Sequence, residues 1–222
     1  MKRVPARSGG DLFADAPPTT EVIADGAVLL RGYARERAVA LLAAIDAVLA
    51  EAPPRHLVTP GGFRMSVAMS NCGELGWISD RRGYRYSPID PDSGRSWPAM
   101  PELFRQLAAE AAVAAGYAPL QPQACLINRY QPGARMTLHQ DRDELDLEAP
   151  IVSVSLGLPA IFLFGGLQRS DRPRRDRVEH GDVVVWGGAS RLCFHGIAPL
   201  APGEHPLTDA CRYNLTFRRV RA

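Results

Sequence analysis

Apolar positions recur at helical spacing from residue 34 to 51 (ARERAVALLAAIDAVLAE), and Pro53-Pro54 closes the segment, so the spacing predicts a helix there. A second helix is predicted from Pro101 to Ala115, with Leu103, Phe104, Leu107 and Ala111 on one face and Gly116 as its stop. Between them, residues 59–92 place Gly, Pro, Asn or Asp every few positions, the texture of short strands and turns. Phe63, Arg64, Trp77, Arg81, Arg82, Tyr84, Arg85 and Tyr86 interleave aromatics with arginines in that stretch. Beyond residue 120 the runs become β-type: 124–130, 149–158, 160–166, 182–188, 191–197 and 212–220, separated by turn residues such as Gly165-Gly166 and Gly187-Gly188. Closely spaced short strands predict a sandwich or barrel. Residues 169–177 (RSDRPRRDR) read as a charged loop between strands, and no internal repeat is visible.

Composition narrows the class. With 222 residues, 46% apolar and 23% charged, the chain is an ordinary globular protein, neither disordered nor collagen-like. No run of eighteen apolar residues exists, which argues against a membrane span. The net charge of +2 is too small to argue for nucleic acid by itself. Lys2 is the only lysine among 26 cations; this is foremost a compositional bias, although arginine also suits bidentate contacts to carboxylate and phosphate. Cys72, Cys125, Cys193 and Cys211 form no CxxC pair, which disfavours a cysteine-bound zinc. The polar start lacks the apolar stretch of a signal peptide, so reduced thiols and a cytoplasmic location are expected. Residues 1–18 read as a loose leader.

The sharpest chemical signal is LHQDRDE, residues 138–144. On an extended segment His139 and Asp141 point the same way and could meet one metal ion. Of the five histidines, His195 is the best third ligand: it ends the run RLCFH, and Gly196 leaves room beside it. Two histidines and one carboxylate make the facial triad of non-haem Fe(II) oxygenases, with positions open for substrate and O₂. A lone HxD is most often a surface turn. A second signal strengthens the first. In RYNLTFR, residues 212–218, Arg212, Asn214, Thr216 and Arg218 share one strand face over roughly 20 Å. Their guanidinium groups could hold the two ends of a small dicarboxylate. The bland alternative, solvent-facing arginines on an edge strand, is weakened because Leu215 and Phe217 already supply an apolar face. Asn128 and Tyr130 of NRY share a face just before the His139 loop and can hydrogen-bond a carboxylate.

NRYxPGAxxxLHQDxDE, IVSVSLGLPAIFxFGGL, EHGDVVVWGG, SRLxxHGI and CRYNLTFR resemble the AlkB family of Fe(II)/2-oxoglutarate dioxygenases. VTPGGFRMSVAMSNCGELGW and SPIDP extend the resemblance over roughly residues 11 to 219. The resemblance implies an α+β fold: a double-stranded β-helix (jelly-roll) core over 121–222, preceded by N-terminal helices and a nucleotide-recognition lid over 19–120. It implies Fe(II) held by His139, Asp141 and His195. It gives 2-oxoglutarate to Asn128, Arg129, Tyr130, Arg212, Asn214 and Arg218. It gives the substrate to Met69, Trp77, Tyr84, Arg85, Tyr86, Asp143 and Arg169, with Trp77 stacking on the damaged base and Asp143 near its exocyclic amine. Without the resemblance, Trp77 is more often a small core anchor, Tyr84 and Tyr86 alternate strand positions, Arg169 part of a solvated charge run, and Asp143 and Glu144 the makings of a turn. His56, His180 and His205 are assigned to structure or solvent.

The implied activity is oxidative demethylation of N1-methyladenine and N3-methylcytosine in DNA, preferably single-stranded, and in RNA, with Fe(II), 2-oxoglutarate and O₂. A monomer is expected. The alternatives are a 2-oxoglutarate oxygenase acting on RNA, protein or lipid, or a binding module with no catalysis.

Overall fold

The computed structural model describes residues 19–222; the leader lies outside the described residues. In chain order the elements are β1 (Thr19–Ala24), β2 (Ala27–Arg31), α1 (Ala38–Glu51) after a short 3-10 turn, β3 (Ala68–Gly73), β4 (Gly76–Asp80), β5 (Gly83–Ser87) and α2 (Glu102–Ala114). There follow β6 (Ala124–Tyr130), β7 (Met136–His139), β8 (Ile151–Gly157), β9 (Ala160–Phe164), β10 (Arg174–Val178), β11 (Val183–Trp186), β12 (His195–Ile197) and β13 (Arg212–Arg218). A seven-stranded sheet runs β1-β2-β11-β8-β13-β6-β3, a four-stranded sheet β10-β9-β12-β7, and β4-β5 is a separate hairpin. The paired strands are antiparallel, and the two larger sheets form the jelly-roll sandwich.

Strand alternation builds two cores. On the outer face of the large sheet, Val152, Val154, Leu215 and Phe217 pack with Leu41 and Ile45 of α1 and Phe104 and Leu107 of α2. The Phe104 and Phe217 rings meet edge-on at 5.9 Å. The inner face carries Ile151, Val184 and Trp186, which join Phe162, Phe164 and Ile197 of the small sheet. The same alternation turns Asn128, Tyr130, Ser153, Arg212, Asn214, Thr216 and Arg218 into the space between the sheets. A period of two thus separates a hydrocarbon face from a polar one on each of these strands.

Four expectations are corrected. Arg174–Val178 is a strand, β10, and not part of a loop. It forms the edge of the small sheet, where charged side chains are the normal protection. The run 191–197 is strand only from His195, because residues 188–190 form a 3-10 turn and Arg191 is drawn inward. Gly196 does not leave open space: a Cβ there would lie 2.5 Å from the Met136 carbonyl, so glycine lets β7 pack closely on β12. Residues 19–120 also give β1, β2 and β3 to the large sheet, so the boundary expected at 121 runs through one sheet.

Candidate metal and cosubstrate site

β7 and β12 are register partners, with His139 opposite His195, and the two rings lie 4.4 Å apart. Each Nδ1 is within hydrogen-bond distance of a carbonyl two residues away in sequence, His139 at 2.9 Å from Thr137 and His195 at 3.1 Å from Cys193. Donating there fixes the tautomer that leaves Nε2 as a lone pair. Asp141 lies just past the end of β7, its loop pinned by Gln140 Nε2 donating to the Leu192 carbonyl at 2.7 Å. Its Oδ1 is 3.6 Å from His139 Nε2 and its Oδ2 is 3.8 Å from His195 Nε2. The three donor atoms all lie within 4.8 Å of one another. Two imidazole nitrogens and a carboxylate converging in this way form a donor set for a divalent transition metal such as Fe(II).

Electrostatics keeps His195 and Asp141 in metal-binding form. Burial, then the neighbouring His139, pushes the His195 pKa down to about 3, so the ring is neutral. Burial alone would raise Asp141, but Arg218, His195 and His139 outweigh it and hold the carboxyl well below its usual range. Unfolded, His195 titrates near about 6.5. Falling pH therefore favours protonated, unfolded chain from about 6.5 down to the folded value, and Asp141 adds a further loss below about pH 4. The metal-free protein is expected to lose thermal stability steadily between about pH 7 and pH 5, and His195→Gln to flatten that slope. Melting curves in chelator test this; a midpoint that does not move over that interval would contradict it.

The cavity beside the cluster is lined by Asn128, Tyr130, Met136, His139, Ser153, His195, Arg212, Asn214, Thr216 and Arg218, among others. Arg212 is 2% exposed. Its Nη2 donates to Ser155 Oγ at 2.9 Å, and its guanidinium sits 4.9 Å from the Tyr130 ring centre. Its Nε and Nη1 have no partner, nor does Asn128 Oδ1, and Arg212 has no acidic partner among the described residues. A buried, uncompensated guanidinium is costly and calls for an anion. A carboxylate of 2-oxoglutarate can accept from a free edge of this guanidinium, so the residues present suit the cosubstrate.

Arg218 is differently placed. Its Nη2 and Nε donate to Asp141 Oδ2 at 2.7 and 2.9 Å, and its Nε lies 3.4 Å from Glu144 Oε1. It is paired through Nε and Nη2 and still lines the cavity, so it sits between Asp141 and the expected cosubstrate position, whereas Arg212 has no carboxylate partner among the described residues.

Sequence reasoning missed the rest of this buried network. Glu144 accepts from Arg191 at 3.2 Å and from the Tyr86 hydroxyl, while Arg191 also donates to the carbonyls of Asp141 at 2.7 Å and Ala149 at 3.0 Å. Burial, reinforced by Glu144 and Asp141, raises the Tyr86 pKa well above its ordinary value, which keeps it a donor. Arg191 thus braces the backbone that presents Asp141. The available signal was Glu144 beside the HxD motif; nothing in SRLCFHGI marks Arg191 as buried.

The hairpin β4–β5 stands over this loop. Trp77 Nε1 donates to Asp143 Oδ2 at 2.9 Å, and the Tyr84 ring stacks on Trp77 at 5.5 Å with planes 13° apart. Asn71 holds the Trp77 backbone from both sides, donating to its carbonyl at 3.0 Å and accepting from its N–H at 2.9 Å. Tyr86 is register partner of Trp77 and shares its face. Met69 is buried against the same inner core. Arg169 donates to the Leu138 carbonyl at 2.7 Å, beside His139.

Two assignments are corrected by strand alternation. Arg129 points away from Asn128 and Tyr130 and is register partner of Tyr213, on the helix side of the sheet. Arg85 faces away from Trp77, Tyr84 and Tyr86 and forms an ion pair with Asp80 at 2.7 Å. Of the histidines assigned to structure, His56 bonds the Met65 carbonyl at 2.8 Å, and His180 stacks on His205 at 4.4 Å.

Comparison with known proteins agrees with this geometry. Residues 26–218 match the model of the 2OG-Fe(II) oxygenase superfamily. The chain is 63% identical over 210 residues to the alpha-ketoglutarate-dependent dioxygenase AlkB of Escherichia coli (strain K12), covering 95% of this chain and 97% of that protein. It is 45% identical over 183 residues to an AlkB homolog of Caulobacter vibrioides (strain NA1000 / CB15N), covering 81% of each. The solved structure of OsALKBH1 superposes with a TM-score of 0.80 at 28% identity, over 90% of this chain and 100% of that one.

Proposed function

The chain belongs to the AlkB family of the 2OG-Fe(II) oxygenase superfamily, and from that premise we propose that it repairs DNA by oxidatively demethylating N1-methyladenine and N3-methylcytosine. Single-stranded DNA is the preferred substrate, and RNA is also accepted. The observation that carries this reading is the His139–Asp141–His195 cluster set beside the unpaired, buried Arg212. A module that only bound nucleic acid would need neither. When bound, Fe(II) with 2-oxoglutarate and O₂ supplies the oxidation of an N-methyl C–H bond that ends in formaldehyde, succinate and CO₂.

In this reading His139, Asp141 and His195 hold the metal, and Arg218 and Arg191 hold Asp141. Arg212 binds a 2-oxoglutarate carboxylate, with Asn128, Tyr130 and Asn214 around it, and Arg218, which lines the same cavity, faces the cosubstrate from the Asp141 side. The base must leave its stack to reach the metal, at a cost of a few kcal/mol that is least when its pairing edge is blocked or its strand is single. Trp77 offers a ring face to a cationic methylated base, and Asp143 places a carboxylate beside that ring. Tyr84, Tyr86 and Met69 shape the same wall, and Arg169 steadies the strand. Together these residues favour the charged lesion over the neutral base.

The enzyme works as a monomer in the cytoplasm. All four cysteines are free thiols, which suits a reducing compartment. Among the described residues no helix is long and apolar enough to cross a membrane.

Base stacking is worth about 1–3 kcal/mol. Trp77→Ala is therefore expected to raise KM for a methylated oligonucleotide about tenfold or more while leaving KM for 2-oxoglutarate unchanged. Equal substrate KM values for variant and wild type would sink the stacking role. Succinate formation without demethylation in the wild type would point to a protein, lipid or other substrate.

A further inference from the structure

On the outer face of the small sheet lies a groove of about 410 Å³, within the range of ligand sites. Its floor is apolar: Leu138, Leu163, Ile197, Ala198 and Pro199. Its rim carries Arg135, Arg169 and Arg175, and no lining residue among the described ones is acidic. Met136 and Ile197 line both this groove and the cavity beside the metal-ligand cluster, so the two share a wall.

The three arginines are set by the backbone and not neutralised by it. Arg135 precedes β7, with its own N–H and C=O both tied to Ser66 Oγ at 3.0 Å. Arg169 is held at the seam by the Leu138 carbonyl and by the Phe194 ring, 5.9 Å from its guanidinium. Arg175 is the register partner of Leu163 on β10. Its neighbours on that strand are quenched, Arg174 by Asp176 and Arg177 by Glu179, each at 2.8 Å. Among the described residues Arg135, Arg169 and Arg175 form no ion pair. Unquenched guanidinium groups around an apolar floor match a phosphodiester chain, whose charges meet the rim while a sugar or base covers the hydrocarbon.

We propose that this groove is a second nucleic-acid contact, which carries nucleotides flanking the reacting base, with their phosphates on Arg135 and Arg175 and Arg169 at the junction. The proposal rests on the nucleic-acid reading above and extends it beyond the flipped base. It makes affinity depend on strand length and on salt through residues remote from the metal ligands.

The test uses iron-loaded enzyme with 2-oxoglutarate, a single-stranded 12-mer bearing one N1-methyladenine, and the corresponding methylated mononucleotide, which has no flanks. Arg175→Ala should weaken 12-mer binding, read by fluorescence anisotropy, and raise its KM, each about three- to tenfold. It should make log K against log salt shallower by about 0.7, one phosphate on a single strand. KM for the mononucleotide should not move. Arg172→Ala, an exposed arginine of the same charged stretch that does not line the groove, should change nothing. Unchanged 12-mer affinity and salt slope in Arg175→Ala, with wild type active, would overturn the groove alone. Equal losses on the two substrates would overturn it in favour of a general effect on the fold. Wild type that binds and demethylates neither substrate would overturn the nucleic-acid reading on which the groove rests.

Discussion

Asp141→Ala is expected to abolish turnover, by about a thousandfold or more, because it removes the only carboxylate of the donor set. Loss of partners outside the ligand shell already costs about ten- to a hundredfold in metalloenzymes, so loss of a ligand should cost more. The substitution does a second thing. Arg218 is buried and makes its two closest bonds to Asp141, so it is left with Glu144 as its remaining carboxylate. Breaking a buried pair from one side costs about 3–5 kcal/mol. Asp141→Ala should therefore melt lower than wild type even in chelator. Asp141→Asn keeps the shape and an acceptor oxygen, and should lose iron while losing less stability. Iron content, succinate formation and melting midpoint separate the two roles. Retained iron and turnover in Asp141→Ala would refute the assignment.

The second large effect concerns Arg212, and its two consequences have opposite sign. Arg212→Met removes the charge that meets the cosubstrate while keeping an apolar side chain of comparable length. A charge-assisted contact is worth several kcal/mol when desolvated, so KM for 2-oxoglutarate should rise about a hundredfold or more. Yet without cosubstrate the wild-type guanidinium is buried with two unpartnered nitrogens. Replacing such a charge by a packed apolar group is often stabilising, by about 1–4 kcal/mol. Arg212→Met should melt higher than wild type in the absence of 2-oxoglutarate and gain little when it is added. A variant that melts lower without ligand, or one whose KM is unchanged, would show that this charge is not held for an anion.

The alternation of Arg212, Asn214, Thr216 and Arg218 against Tyr213, Leu215 and Phe217 was legible because β-structure has a fixed period of two. The same rule decides what went wrong at Arg129 and Arg85. Each stands one position from a residue of the site, and on a strand one position means the opposite face. His139, Asp141 and His195 were legible as residue types, and the register of β7 against β12 brings them together. Buried charge was not legible. Arg191 and Glu144 sit at 3% and 5% exposure, but a charged residue read from sequence defaults to solvent. Arg218 was legible as a cavity residue, but an arginine does not announce its partner, and only the folded loop shows that Asp141 also takes it. Residues 174–178 concealed a strand because its edge position makes charge, not apolar alternation, its dominant feature.

Mass spectrometry of a single-stranded oligonucleotide carrying one N1-methyladenine tests the central claim most directly. With Fe(II), 2-oxoglutarate and O₂ the oligonucleotide should lose one CH₂ in mass, in step with succinate formed. The loss should vanish without 2-oxoglutarate and in Asp141→Ala. An unchanged oligonucleotide after incubation with wild-type protein shown to hold iron and to bind 2-oxoglutarate would contradict the claim.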